Sequence, residues 1–127
     1  MRKTLFTIAL TLAGFCQSTL SARVYHATPH NFTQPNGDTV SVRLFGTDLY
    51  IDAESEDGYT LVVDDETGYI CYAMLSADGN EYASSGIKYV GGKAPSEVGM
   101  IVSPHIRLKI EKRNEIIADH ESKLGLD

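Results

Sequence analysis

Residues 59–73 read YTLVVDDETGYICYA, and this stretch decides the fold. Two apolar runs, residues 59–63 and 69–73, flank the acidic turn formed by residues 64–68. Aromatic and β-branched residues on both sides of a short polar connection that contains glycine are typical of paired antiparallel strands. The sequence therefore predicts a β-hairpin in the middle of the chain.

The same pattern continues on both sides of this hairpin. Dipeptides that favour tight turns separate short apolar runs: Asn36-Gly37, Asp57-Gly58, Thr67-Gly68, Asp78-Gly79 and Gly91-Gly92. Strands are predicted over residues 39–45, 48–53, 59–64, 69–75, 81–83 and 87–90. The first of them has period-two alternation, with Val40, Val42 and Leu44 on one face and Ser41, Arg43 and Phe45 on the other. We therefore expect a mainly β, α+β fold built on an antiparallel meander of five or six short strands.

The last part of the chain changes from strand to helix periodicity. Ser103 and Pro104 suit the N-cap and the first position of a helix, and Gly125 is a stop signal. A narrow apolar stripe follows at about 100° per residue; it consists of Ile106, Ile110, Ile117 and Leu124. We expect a C-terminal amphipathic helix that is too narrowly apolar for burial in its own domain and that serves as a connector or docking arm.

The first residues have the layout of a secretory signal peptide. Arg2 and Lys3 precede an apolar stretch over residues 5–16, and small or polar residues lead to Ala22. This stretch is shorter than the roughly 20 residues that span a bilayer, so no stable membrane span is expected. The predicted organisation is a signal peptide over residues 1–22, a β-rich domain over 23–100 and a helix or linker arm over 101–127. The predicted location is exported: periplasmic, on the cell surface or secreted after cleavage near Ala22.

The charge of the chain bears on its partners. There are 11 Lys and Arg against 17 Asp and Glu, and loss of residues 1–22 lowers the first number to 9, for a net charge of −8. Because nucleic-acid recognition needs clustered cations, this class of partner is excluded. Cys16 leaves with the signal peptide, and we expect the unpaired Cys71 to be buried as a small hydrophobe.

The histidines do not have the spacing of a zinc site. His120-Glu121 begins like the helical motif H-E-x-x-H, but Leu124 occupies the place of the second histidine. His26 and His30 are four residues apart, but the intervening Pro29 forbids the helix that would align them. The interpretation is that these histidines are solvated.

An acidic loop resembles a calcium-binding loop only in part. It contains Asp52, Glu54, Glu56, Asp57 and Gly58, with carboxylates at alternate positions like the oxygen ligands of a calcium loop. The glycine comes one residue late, and Val63 stands where a closing bidentate Glu belongs. The loop is interpreted either as a weak calcium site or as a solvated acidic turn. The same two interpretations apply to residues 64–66.

No motif of nucleophilic or phosphate chemistry is present in the sequence. It contains no G-x-S-x-G elbow and no phosphate-binding glycine loop, and no histidine neighbours Cys71. Two modification signals occur: Asn31-Phe32-Thr33 is an N-glycosylation sequon, and Asp38-Thr39-Val40 resembles an O-glycosylation tripeptide. We therefore predict no catalytic, cofactor-binding or metal-binding residue, no cofactor and no enzyme activity for this chain.

Four stretches resemble, in order and spacing, the N-terminal region of secreted M6-type, immune inhibitor A-like metalloproteases. They are the Q-P-N-G turn with its strand (residues 34–46), E-D-G-Y-T-L-V (56–62), T-G-Y-I-C-Y-A (67–73) and P-H-I-R-L (104–108). The resemblance covers about residues 22–115. It implies a signal peptide, a β-rich region, a basic helix and then a zinc peptidase domain.

The chain also departs from that family. It stops at Asp127, where the family would enter its catalytic domain, and it lacks H-E-x-x-H, so no zinc or catalytic role carries over to any residue. Asn36 stands for the commoner Asp, and Thr47-Asp48 appears where a G-D-E-like acidic turn is frequent.

The resemblance implies a non-catalytic, pro-region-like domain, truncated or stand-alone, that assists folding, latency or targeting of a peptidase in cis or in trans. If it inhibits the peptidase, a carboxylate of an acidic turn or the Cys71 thiolate would cap the zinc. The alternative is a free-standing secreted binding or adhesion module, and a third hypothesis is a calcium-stabilised module.

Overall fold

A computed structural model describes residues 23–125 as one six-stranded sheet with two helices. Its elements are β1 (Val24–Thr33), β2 (Thr39–Thr47), β3 (Tyr50–Glu54), β4 (Thr60–Val63), β5 (Ile70–Leu75), β6 (Tyr82–Lys88), α1 (Ser96–Ile101) and α2 (Ile110–Leu124). The six strands pair antiparallel in sequence order. The predicted mainly β meander with a C-terminal helix is confirmed, while the predicted signal peptide lies outside the described residues.

The six strands are not the six that the sequence predicts. β1 is absent from the prediction because Pro29 and a bulge near Ala27, whose φ is 54°, interrupt its pattern. The two short strands predicted over residues 81–83 and 87–90 are one strand, β6, which continues through Gly86 at a φ of 79°. The prediction missed one strand and split another into two, so its total of six strands is nevertheless correct.

The C-terminal helix begins six residues later than predicted, at Ile110 instead of Pro104. The prediction was wrong because the main chain of residues 103–109, here called the strap, bonds to the sheet. The N–H of His105 donates to the carbonyl of Gly58 at 2.8 Å, and the N–H of Lys109 donates to that of Gly79 at 3.0 Å. A helix through the strap would give up both bonds.

The end of α2 agrees with the sequence. Gly125 takes the left-handed conformation, with φ 72°, and its N–H donates to the carbonyls of the last turn. None of the side chains of α2 is buried, which agrees with the narrow stripe predicted for it. Within residues 23–125, no helix combines the length and the apolar character needed to cross a membrane.

A buried glutamine links the two ends of the sheet. The Gln34 side chain, in the turn after β1, donates to the carbonyl of Tyr89 at 2.9 Å and accepts from the N–H of Ile70 at 3.0 Å. It therefore ties the β1–β2 turn to the start of β5 and the end of β6. The apolar core inside consists of Val40, Val42, Leu44, Leu61, Ile70, Tyr72, Tyr89 and Val98 of α1.

The sheet has a weak seam between β3 and β4. These strands pair only at Ala53 with Leu61 and at Glu54 with Thr60, although β3 continues back to Tyr50 and β4 continues forward to Val63. This ladder is the shortest of the five. The sheet is therefore two three-stranded halves, β1–β3 and β4–β6, that need further contacts to stay together.

Candidate functional site: a charge cluster under the strap

Two carboxylates of β3 are buried on the face of the sheet opposite the core. Because side chains alternate along a strand, Asp52 and Glu54 lie on one face, and the core side chains lie on the other. Asp52 is 5% exposed and Glu54 is 2% exposed. Burial of a charge is costly unless the charge is paired, so each carboxylate requires partners. The solvated-turn interpretation is therefore wrong for these two residues.

Arg107 of the strap supplies the positive charge. Its Nη2 lies 2.8 Å from Glu54 Oε2, and its Nε lies 3.3 Å from Asp52 Oδ2. The guanidinium carbon lies 5.4 Å from the centre of the Phe45 ring, a cation–π contact. The planar guanidinium fork reaches two carboxylates at once, which a lysine ammonium would do poorly.

Two tyrosine hydroxyls donate hydrogen bonds to Asp52. Its Oδ1 accepts from the Tyr82 hydroxyl at 2.7 Å and from the Tyr50 hydroxyl at 3.1 Å. Burial, followed by the Asp52 charge, raises the pKa of Tyr50 to about 12. Burial and the hydrogen bond to Asp52 likewise raise the pKa of Tyr82. Both phenols therefore stay protonated and act as donors at neutral pH.

His105 covers the other side of Glu54. Its Nδ1 lies 3.0 Å from both carboxylate oxygens, while most of its ring faces solvent. Its backbone is in the left-handed region at φ 61°, an uncommon state for histidine that the surrounding contacts hold. A Cβ on Gly58 would lie 2.8 Å from Cε1 of His105, so the turn needs glycine both for that contact and for its own φ of 94°.

The cluster crosses the seam. Asp52 and Glu54 belong to β3, whereas Tyr82 belongs to β6 in the other half of the sheet. The strap also binds that half, because the carbonyl of Ile106 accepts from the Thr60 hydroxyl of β4 at 2.9 Å. Arg107 and the strap therefore join the two halves where the ladder is short.

The carboxylates of this cluster have their partners within the chain. The oxygens of both carboxylates already accept hydrogen bonds or ion pairs from Arg107, His105 and the two tyrosines. Across the part of the chain that the structure describes, no three His, Cys, Asp or Glu side chains are grouped so as to hold a metal. The arrangement positions the strap and the start of α2.

The remaining candidate residues are spread over the molecule. Cys71 is buried, as predicted, so its sulfur is not accessible for capping a zinc ion. The Asp64 carboxylate accepts from the Ser84 hydroxyl at 2.7 Å, which lowers the pKa of Asp64. Asp57 accepts from the Ser55 hydroxyl and the N–H of Ala94. These acidic turns use carboxylates to hold the backbone.

The predicted histidines and modification signals lie at the surface. His26, His30 and Asn31 lie exposed on β1, and the segment Asp38-Thr39 is exposed at the start of β2. His120 lies exposed on α2, with Nδ1 2.6 Å from the carbonyl of Leu49. The structure brings none of these side chains together with the charge cluster.

Sequence reasoning missed Arg107 and Tyr82 as members of a site. One signal was present: Asp52 and Glu54 are two positions apart in a predicted strand, so they had to share a face. The partner that neutralises them lies 53 positions after Glu54 in a segment predicted to be helical, and the spacing of residues along the chain does not reveal that contact.

The four stretches quoted from the sequence, residues 34–46, 56–62, 67–73 and 104–108, contact one another in pairs. Gln34 of the Q-P-N-G turn binds Ile70 of the T-G-Y-I-C-Y-A stretch, and the turn at Gly58 in E-D-G-Y-T-L-V binds His105 of P-H-I-R-L. The motif residues thus form two structural contacts within one fold. The chain matches no protein-family model, no curated protein and no solved structure.

We predict that Arg107→Ala lowers the free energy of unfolding by about 2–4 kcal/mol, because it leaves two buried carboxylates without their cation. Urea unfolding followed by circular dichroism measures the change. Lys112→Ala is the matched control, since the Lys112–Glu115 pair is at the surface and 3.8 Å long; its change should stay within about 0.5 kcal/mol. Equal effects of the two substitutions would contradict the role given to Arg107.

The raised pKa values of the buried tyrosines predict a loss of stability at alkaline pH. The pKa values of Tyr50 and Tyr72 are raised to about 12, whereas an unfolded tyrosine titrates near pH 10. The stability that the protonated phenols contribute is complete below about pH 10 and is lost as the pH rises towards about 12. The urea midpoint should be flat from about pH 8 to 9.5 and then fall, less steeply in Tyr82→Phe. A flat midpoint up to about pH 11 would be inconsistent with these pKa shifts.

Proposed function

We propose that this chain is a non-catalytic, pro-region-like domain of an exported M6-type zinc metalloprotease. It assists the folding, latency or targeting of a peptidase domain, to which it binds in cis or in trans. The proposal assigns no catalytic, cofactor-binding or metal-binding residue to the chain. The observation that carries it is the contact between the E-D-G-Y-T-L-V turn and the P-H-I-R-L strap, two stretches of the family resemblance that lie far apart in sequence.

The strap gives this proposal a physical basis. Lys109, the last strap residue, is bonded to Gly79, and α2 begins at the next residue. The direction in which the chain leaves the sheet is therefore fixed by the sheet itself. Such an exit suits a domain that holds a peptidase in a defined orientation.

Helix α2 supplies the contact surface in this proposal. Ile110 and Leu124 are exposed at its two ends, and Ile116 and Ile117 are half-buried between them. Most of the other side chains of the helix are charged or polar, including the surface pair Lys123–Asp119 at 3.0 Å. An exposed apolar stripe between charged residues fits a groove on a partner domain.

The test is to mix the purified chain with the catalytic domain of an M6-type peptidase and measure binding by calorimetry. We expect a dissociation constant of about 10 µM or tighter. Ile110→Lys and Leu124→Lys together should weaken binding at least about tenfold, since each places a charge in an apolar contact. The matched control is Val90→Lys, an exposed apolar residue outside α2, which should leave binding unchanged. Absence of binding at about 100 µM would contradict the proposal.

A free-standing secreted binding or adhesion module is the second candidate function. The observation that favours it is a surface pocket of about 250 Å³ beside Tyr69, Lys88, Asn36 and Asp38. An aromatic ring with amide, carboxylate and ammonium groups around it suits a polar ligand such as a glycan. Glycan binding that Tyr69→Ala abolishes, without binding to the peptidase, would favour this function over the first.

A further inference from the structure

The open part of the β3–β4 seam forms an apolar cleft. Continuing the register beyond Ala53 and Leu61 would place Ile51 opposite Val63, but the strands do not pair there. A space of about 210 Å³ lies between them, reaching from the core side chains Val42 and Leu61 to Asp52 and Tyr82. The cleft therefore passes between two strands and ends at the charge cluster.

The side chains at the mouth of the cleft are apolar and accessible. Ile51 is 41% exposed and Val63 is 54% exposed, and Phe32 of β1 lies beside them at 37%. Asp52 and Tyr82 at the floor are already bonded to each other, so they need no partner from outside. An apolar side chain that enters would bury these surfaces without leaving a polar group unsatisfied.

The main chain at the mouth favours an extended occupant. Across the seam, residues 50–52 have no partner on β4, and residues 62–63 have none on β3. Main-chain groups without a strand partner can hydrogen-bond to an extended peptide, whose alternate side chains then enter pockets. The cleft lies where one such side chain would point.

An acidic turn follows β4, the strand that forms one lip of the cleft. The open end of the seam is the end at which β4 leads into Asp64, Asp65 and Glu66, and Asp48 precedes β3 at the same end. Asp64 is bonded to Ser84, and Asp48 is bonded to Tyr25, whereas Asp65 and Glu66 lie exposed. Exposed carboxylates beside an apolar cleft complement a segment that carries cations next to its apolar side chain.

We propose that the open end of the β3–β4 seam binds an extended segment of a partner protein, with a Val or Ile side chain in the cleft and Lys or Arg beside Asp65 and Glu66. This inference rests on the proposed function in one respect: the segment would belong to the peptidase domain. It adds a second contact surface, separate from the exposed stripe of α2.

The experiment uses the full chain and three synthetic peptides: acetyl-Lys-Val-Ile-Val-Lys-amide, acetyl-Glu-Val-Ile-Val-Glu-amide and acetyl-Lys-Ser-Ser-Ser-Lys-amide. Binding is measured by methyl and amide NMR shifts. We expect the basic apolar peptide to bind at least about tenfold more tightly than either of the others, with the largest shifts at Ile51 and Val63. Equal binding of all three peptides, or shifts centred elsewhere on the chain, would overturn the proposal.

Substitutions at the mouth of the cleft locate the site. Val63→Lys and, on the opposite lip, Ile51→Lys should each weaken binding of the basic apolar peptide at least about tenfold. Asp65→Lys with Glu66→Lys should weaken it about threefold to tenfold. The matched controls are Val90→Lys for the apolar change and Glu81→Lys for the charge change, both exposed and outside the cleft. Loss of binding in the controls to the same extent would overturn the proposal.

Failure of this inference can be distinguished from failure of the proposed function. If the chain binds the peptidase domain and Val63→Lys does not weaken that binding, the seam is not the docking site, although the proposed function stands. If the peptide binds at the seam and the peptidase domain does not bind, the site stands and the proposed function fails. If sedimentation shows self-association that Val63→Lys removes, the occupant is a second copy of the chain, and the assignment to a basic partner segment is overturned.

Discussion

The fold depends on the contact of one guanidinium with two buried carboxylates. Arg107 lies between Asp52 and Glu54, which alone would be too costly to bury, and the same contact brings the strap onto the sheet. Because Tyr82 binds Asp52 from β6, the cluster also joins two halves whose ladder is only two residue pairs long. The strap, the seam and the start of α2 therefore depend on a single set of charges.

The charge cluster also constrains residues that lie far from it in sequence. The turn at Gly58 must leave room for the His105 ring, and His105 must take a left-handed backbone to place Nδ1 on Glu54. A second contact, from Gln34 to Ile70, closes the other end of the sheet. Gly58, His105, Gln34 and Ile70 thus hold the scaffold. The surfaces proposed to bind partners are different ones: the apolar stripe of α2 and the mouth of the seam.

Local patterns in the sequence predict most of the sheet. Turn glycines and strand alternation identify the hairpins and the order of β2 to β5, because both are properties of short segments. They fail at β1, where Pro29 breaks the pattern but an edge strand tolerates it, and at the strap, where Ser103 and Pro104 resemble a helix start. The charge cluster could not be predicted from local patterns. Whether Asp52 and Glu54 are solvated or buried depends on a contact with Arg107, which is distant in sequence.

Amide hydrogen exchange of Arg107→Met tests most directly whether this one residue holds the strap and the seam. Methionine keeps most of the apolar length of the side chain and removes its charge. Exchange should accelerate most at the N–H groups of His105 and Lys109 and at the short ladder near Ala53 and Leu61, while amides of the β1–β2 ladder keep their protection. Unchanged protection at the strap, or a uniform loss across the whole sheet, would contradict the account.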